Sequence, residues 1–213
     1  MKPTIAIFID QPYCSVQSAN GVLSALSDYY RFKIFTKHEL QSDFFDDVNT
    51  ICIPGGLGDA SSFYSLMHFH LNEIRNFVFR GGNYLGICMG AYWAGQHFFD
   101  LMPGVKITQY IKQKNADTKR PHAKNIAIRW NNEPTKMFFY DGCTFKGKNF
   151  ETIAEYSTGH PMAIKRNNIA LIGCHPESEK HWYDSYSWMK NQWHQGKHKE
   201  LLLDFVNDLH TPS

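Results

Sequence analysis

Residues 83–96 read NYLGICMGAYWAGQ, and the reading of this stretch decides the fold. Asn83 to Ile87 is a short, mostly apolar run suited to a buried strand, and Gly90 to Gln96 reads as the helix that follows it. Cys88 stands at the corner between them, with Gly86 and Gly90 two positions to either side. A side chain held at a strand-to-helix corner occupies a tight, strained turn. The flanking glycines leave room for neighbouring backbone to pass closely. The helix that starts there turns its first N–H groups toward the sulfur, which stabilises a thiolate. The N–H of Met89 is in addition placed to bind an oxyanion.

Working outward, the segments before the corner alternate strand and helix. Thr4 to Ile9, Phe32 to Phe35 and Thr50 to Ile53 read as strands. Ser15 to Tyr29 carries Val16, Ala19, Val22, Leu23 and Leu26 at helical spacing. Phe63, Leu66, Met67, Leu71, Ile74, Phe77 and Val78 form one apolar helical stripe, with Asp59 or Ser61 to cap its start and Gly81-Gly82 to end it. Alternation of this kind predicts a parallel sheet covered by helices on both faces, because parallel neighbours need a crossover. A ligand site then lies beyond the carboxyl ends of the strands. After residue 100 the character changes. Asn125 to Trp130, Lys136 to Tyr140, Thr152 to Tyr156, Met162 to Lys165 and Ile169 to Ile172 are short strands, some separated by Asn131-Asn132, Asp141-Gly142 and Asn167-Asn168 turns. They predict an antiparallel extension, and helices near His181 to Trp193 and Lys199 to Leu209 close the chain. No repeat or Pro/Gly/Ser-rich linker divides the sequence, so residues 1–213 are expected to form one domain, a flavodoxin-like three-layer α/β sandwich.

A thiol nucleophile needs a base in reach, and the base needs orienting. Gly173-Cys174-His175-Pro176-Glu177 offers both. His175 leaves the end of a strand, which places it on the same sheet edge as Cys88 if the two strands run parallel. Pro176 stiffens the chain so that Glu177 can turn back on the imidazole and favour its protonated form. A third piece, Ile53-Pro54-Gly55-Gly56-Leu57-Gly58-Asp59, follows a buried strand, and the Gly55 and Gly56 N–H groups are expected to complete an oxyanion hole with Met89. Of the other histidines, His68, His70, His194 and His198 have no comparable partner; His194 and His198 share helical spacing but lack a third ligand, so no metal site is expected.

Bulk composition excludes several classes. Hydrophobic residues make up 43% and charged residues 20%, an ordinary globular balance. A net charge of +2 gives no footprint for nucleic acid, and the basic segment Lys106 to Arg129 reads as a solvated loop. The five cysteines contain no C-x-x-C pair, so neither a disulfide framework nor a zinc site is indicated. There is no secretory signal pattern and no apolar run near the ~20 residues of a membrane helix, so no membrane partner is expected and the cytoplasm is the default location.

Pro54-Gly55-Gly56, Gly86 to Gly90 and His175-Pro176-Glu177, in this order, resemble the class I glutamine amidotransferase superfamily. The resemblance implies Cys88 as nucleophile, His175 as base and Glu177 as its orienter, with no cofactor. Glutamine-hydrolysing members usually carry Gln four residues after the nucleophile, where this chain has Tyr92. Residues Gly81 to Gly95 look more like the amidotransferase-like N-terminal domain of eukaryotic biotin–protein ligases, and Phe139 to Phe145 resembles a later element of that family. The ligase's own Gly-Arg-Gly-Arg-type loop is absent, so biotinylation by this chain alone is not expected.

Three functions follow as expectations. One is acyl transfer from an amide or related carbonyl of a small molecule, with a synthase or ligase partner to use released ammonia. Another is a non-catalytic ligand-binding or regulatory domain whose pocket draws on Tyr92, Trp93, Tyr140, Trp182 and Trp188. A third is a ThiJ/PfpI-like redox cysteine, which would need a carboxylate from near the first strand, with Asp10 the one available.

Overall fold

The computed structural model describes residues 2–41, 43–57 and 59–211. Its centre is a nine-stranded sheet. In chain order the strands are β1 (Thr4–Phe8), β2 (Arg31–Phe35), β3 (Thr50–Ile53), β4 (Asn83–Ile87), β5 (Lys106–Gln109), β6 (Lys124–Trp130), β7 (Glu133–Phe139), β8 (Cys143–Lys146), β9 (Glu151–Tyr156), β10 (Pro161–Arg166) and β11 (Ile169–Ile172). The helices are α1 (Val16–Leu26), α2 (Ala60–Met67), α3 (Leu71–Phe79), α4 (Met89–Trp93), α5 (Lys180–Asp184) and α6 (Lys197–Leu209).

The sheet order is β2-β1-β3-β4-β11-β10-β9-β6-β7. The first five strands are parallel, and every pairing after β11 is antiparallel. The parallel part is buried on both faces, which is why β1, β3, β4 and β11 read as nearly continuous apolar runs. Alternate residues serve opposite faces: Ile5 and Ile7 join Val22 of α1 and Phe205 of α6, while Ala6 and Phe8 join Phe63 of α2 and Ile74 of α3. This is the expected three-layer α/β sandwich with an antiparallel extension.

The decisive pairing is β11 beside β4, parallel, with Leu171 opposite Gly86 and Ile172 opposite Ile87. The ends of β3, β4 and β11 therefore emerge together, carrying Pro54-Gly55-Gly56, Cys88 and Gly173-Cys174-His175.

Local chemistry explains the boundaries. Ser15 caps α1 by accepting from the Ser18 N–H, and Asp59 caps α2 by accepting from the Ser62 N–H at 2.7 Å. Past α3, the Gly81 N–H bonds Val78 O and the Gly82 N–H bonds Phe77 O, with Gly81 at φ +100°, a left-handed stop. Asn131 and Asn132, both at positive φ, make the β6–β7 hairpin.

Four local expectations change. The stripe from Phe63 to Val78 is two helices joined by a 3-10 turn at His68–His70, where no residue is buried and Phe69 stands in solvent. That tighter turn re-phases the chain so that Ile74, Phe77 and Val78 meet the sheet. The helix after Cys88 stops at Trp93. The helix expected over 181–193 is only Lys180–Asp184, followed by turns with Asn191 at positive φ. The basic stretch is not merely a loop: β5 pairs with β8 in a separate ribbon, and Lys119 donates to the carbonyls of Gln113 and Lys114. Among the described residues, no helix is long and apolar enough to cross a membrane.

Candidate active site

Cys88 sits at φ +49°, ψ −97°, a backbone state that costs an L-residue energy and persists only where the surroundings impose it. They do so here. The Cys88 N–H donates to Ile172 O at 2.8 Å, tying the corner to β11. A Cβ on Gly90 would lie 1.9 Å from Ile53 O, and one on Gly86 would lie 2.6 Å from Gly90 O. Both glycines are thus required by close backbone approach. The thiol is almost covered, 6% exposed, and its Sγ is 3.7 Å from Tyr140 O.

His175 is fixed from several sides. Its N–H donates to Phe138 O at 2.9 Å, and its ring meets Trp182 edge-to-face at 5.5 Å. A Cβ on Gly55 would fall 2.7 Å from the ring, so that glycine makes space for the imidazole. Nδ1 lies 2.8 Å from Oε1 of the fully buried Glu177. A carboxylate only accepts, so Nδ1 carries a proton and Nε2 is the ring's remaining nitrogen. Burial alone would lower the imidazole pKa, but the Glu177 carboxylate and the neighbouring Cys88 sulfur outweigh it and raise the value to about 10.

Ser18 was not among the expected site residues. Its hydroxyl donates to Glu177 Oε1 at 2.6 Å and accepts the Gly55 N–H at 2.9 Å, joining α1, the Gly-Gly loop and the carboxylate. The sequence signal was a polar residue on the buried face of an amphipathic helix, with Gly21 nearby; a Cβ on Gly21 would strike Glu177 O at 2.2 Å. Ser18→Ala is expected to cost about 1–3 kcal/mol, since two buried polar groups lose their partner. For a chain of this size that lowers the melting temperature by roughly 2–4 °C per kcal/mol. Coincident melts of wild type and variant would contradict the role given to Ser18.

The same bond corrects the expected oxyanion donors. The Gly55 N–H is already taken by Ser18, so it is not available to a substrate. Among the described residues, no acceptor takes the N–H of Gly56 or of Met89. The two segments are adjacent, for a Cβ on Gly56 would come 2.7 Å from Met89 Sδ. Gly58 of the same loop lies outside the described residues.

Two cavities open on Cys88. One, of about 310 Å³, holds Cys88, Gly56 and His175 under Phe138, Tyr140 and Trp182. The other, of about 390 Å³, is lined by Cys88, Tyr92, Gln109 and Asp141 among others. Tyr92 also braces this wall, donating its hydroxyl to Asp141 O at 3.0 Å. Of the other aromatics expected at a pocket, Trp93 is core, packed on Phe8, Phe63 and Phe99, and Trp188 is exposed with its indole N–H on Ala123 O. A larger cavity, about 770 Å³, is elsewhere, against Asn83, Asn168 and His210 at the start of β4 and the end of α6.

Burial pushes the Cys14 thiol up to about 12, with Asp10 beside it; among the described residues, Asp10 lines neither cavity at Cys88. His194 and His198 stack at 3.9 Å, and no cluster of three metal-ligating side chains exists among the described residues.

The biotin–protein ligase N-terminal family matches residues 12–106, a little under half the chain and the half that carries the Gly-Gly loop and the elbow. No curated protein matches the sequence. Solved structures resemble it in fold over its whole length. A glutamine amidotransferase from Thermotoga maritima covers 100% of both chains with a TM-score of 0.73 at 11% identity. A GMP synthase component from Thermoplasma acidophilum covers 99% of this chain and 95% of its own, with a TM-score of 0.63 at 14% identity. PurLQS from the same Thermotoga species covers 98% of this chain and 100% of its own, with a TM-score of 0.59 at 16% identity. The chain has a glutamine amidotransferase-like fold, and residues 12–106 are similar to the N-terminal domain of biotin–protein ligases.

Proposed function

We propose that the chain is a cysteine-dependent amidohydrolase or amidotransferase. Cys88 Sγ attacks the carbonyl carbon of an amide while His175 holds the thiol proton. The oxyanion of the tetrahedral adduct is met by the Gly56 and Met89 N–H groups. His175 passes its proton to the leaving nitrogen, and an amine departs, leaving a thioester. Water then attacks, gives its proton back through His175, and releases a carboxylic acid with the thiol restored. Glu177 keeps the imidazole oriented and stabilises its charge.

The observation that carries this reading is the buried Nδ1–Oε1 contact of 2.8 Å behind an imidazole that shares a cavity with Cys88. Synthase-related folds among the structural neighbours support a partner that takes up the released ammonia or amine. Intact-protein mass spectrometry with an electrophilic amide analogue tests the proposal. One adduct on Cys88 is expected in wild type and none in Cys88→Ala; equal labelling of both would exclude it.

A second reading, a ligand-binding module that has kept the pocket, is favoured by the contact of Cys88 Sγ with Tyr140 O, since a carbonyl accepts from a thiol but not from a thiolate. It predicts no adduct in either protein, with ligand-dependent thermal stabilisation that survives Cys88→Ala.

A further inference from the structure

We infer that Ser18 is a positioning residue of the site: its hydroxyl, itself oriented by the Gly55-Gly56 loop, selects which oxygen of Glu177 faces His175. This rests on the reading of Cys88 as nucleophile and adds a fourth side chain, from α1, behind it.

Chemistry fixes the direction of each hydrogen bond. The Gly55 N–H can only donate, so Ser18 Oγ accepts it at 2.9 Å. The single hydroxyl proton then goes to Glu177 Oε1, 2.6 Å away. His175 Nδ1 meets that same oxygen at 2.8 Å, while Oε2 is buried with no hydrogen-bond partner among the described residues. A carboxylate turns easily about its last torsion, which has broad minima. Two donors converging on one oxygen remove that freedom. Without Ser18, the Nδ1–H is the sole donor left among the described residues, and either oxygen can take it.

The start of α1 is shaped to hold this contact. Ser18 lies in the first turn, with its own N–H on the Oγ of Ser15, the helix cap. An anion is favoured at that end of a helix. Gly21, one turn on and on the same face, leaves room for Glu177: a Cβ there would lie 3.0 Å from its Cγ. Ser18 and Glu177 are both fully buried, so bulk water does not compete for either. The loop that orients the hydroxyl is gripped from the same place, since the Ser15 N–H donates to Gly55 O at 2.8 Å. The order of control is therefore loop to hydroxyl, hydroxyl to carboxylate, and carboxylate to imidazole.

The test uses the full chain and the rate at which iodoacetamide labels Cys88, where the sulfur displaces iodide and forms a C–S bond read by peptide mass spectrometry. Ser18→Ala is expected to label about tenfold slower than wild type, the worth of one hydrogen bond to a charged group. Ser18→Cys keeps the shape of the side chain but offers a weak donor, so it should fall with the alanine variant, and it carries the test if that variant does not fold. In a Glu177→Gln background the Ser18→Ala change should matter by no more than about twofold, because Ser18 acts through that carboxylate. Proton NMR adds a readout independent of reactivity. The His175 Nδ1–H resonance is expected to be protected from exchange with water in wild type, and to be lost or fast-exchanging in both Ser18 variants. A Ser18→Cys protein that labels like wild type, an equal effect of Ser18→Ala in both backgrounds, or an unchanged Nδ1–H resonance in a folded variant would overturn the inference and leave Ser18 a strut between helix and loop. If wild-type Cys88 labels no faster than glutathione while the Nδ1–H signal still depends on Ser18, the nucleophile reading fails and the positioning role stands.

Discussion

Glu177→Gln is expected to slow alkylation of Cys88 and any turnover at it by about 10²–10⁴-fold, the range general acid–base assistance supplies. The amide keeps the shape of the carboxylate but not its charge. The imidazolium of His175 then loses its nearest anion, 2.8 Å away, in a site that otherwise opposes charge through burial. The substitution also places an NH₂ group in a fully buried position where one carboxylate oxygen has no partner among the described residues. Some loss of stability therefore accompanies the loss of rate, on the order of 1–3 kcal/mol. Rates measured with iodoacetamide on folded protein separate the two effects. A variant within twofold of wild type would show that Glu177 only packs against α1.

Gly90→Ala is expected to destabilise the fold by about 3 kcal/mol or more, at the upper end of what overpacking produces. The new methyl would sit 1.9 Å from Ile53 O, which belongs to the backbone of a central strand and has no flexible way out. Relief requires moving α4 off β3, and that shifts the N–H groups of Met89 and Gly56 apart. The melting temperature should drop by roughly 6–12 °C for a chain of this length, and Cys88 labelling should lose its selectivity over other thiols. Gly104→Ala is the control for a glycine with open space around it, although its φ of +81° carries a cost of its own. A Gly90→Ala protein that melts with wild type would mean that the corner is more plastic than the close approach implies.

Much of the fold was legible because the parallel strands are short, apolar and punctuated. TICI ends at Pro54-Gly55-Gly56, NYLGI ends at Cys88, and IALI ends at Gly173, so their shared edge follows from three local readings. The ribbon of β5 and β8 was not legible. KITQ and CTFK are too short and too polar to show a period, and their pairing joins segments separated by more than thirty residues. The long helix was overread because a stripe records which residues are buried and not whether the backbone between them stays α-helical; His68–His70 breaks it.

The site divides in the same way. Cys88, His175 and Glu177 stand in or beside recognisable motifs. Ser18 does not, since its importance comes from where tertiary packing puts it. Ser18 lies 159 positions from the carboxylate it serves. Gly55 shows the reverse error: the motif suggested a free N–H, and a side chain from another helix has claimed it.

The central claim is that Cys88 and His175 share one proton-transfer unit backed by Glu177, and ¹⁵N NMR titration of the His175 ring tests it most directly. The account predicts an imidazolium at pH 7 that persists toward pH 10 in wild type and loses its proton at lower pH once Cys88 is replaced by Ala, because one of the two groups that raise its pKa is gone. A His175 ring already neutral at pH 7, with a titration indifferent to the residue at 88, would contradict it.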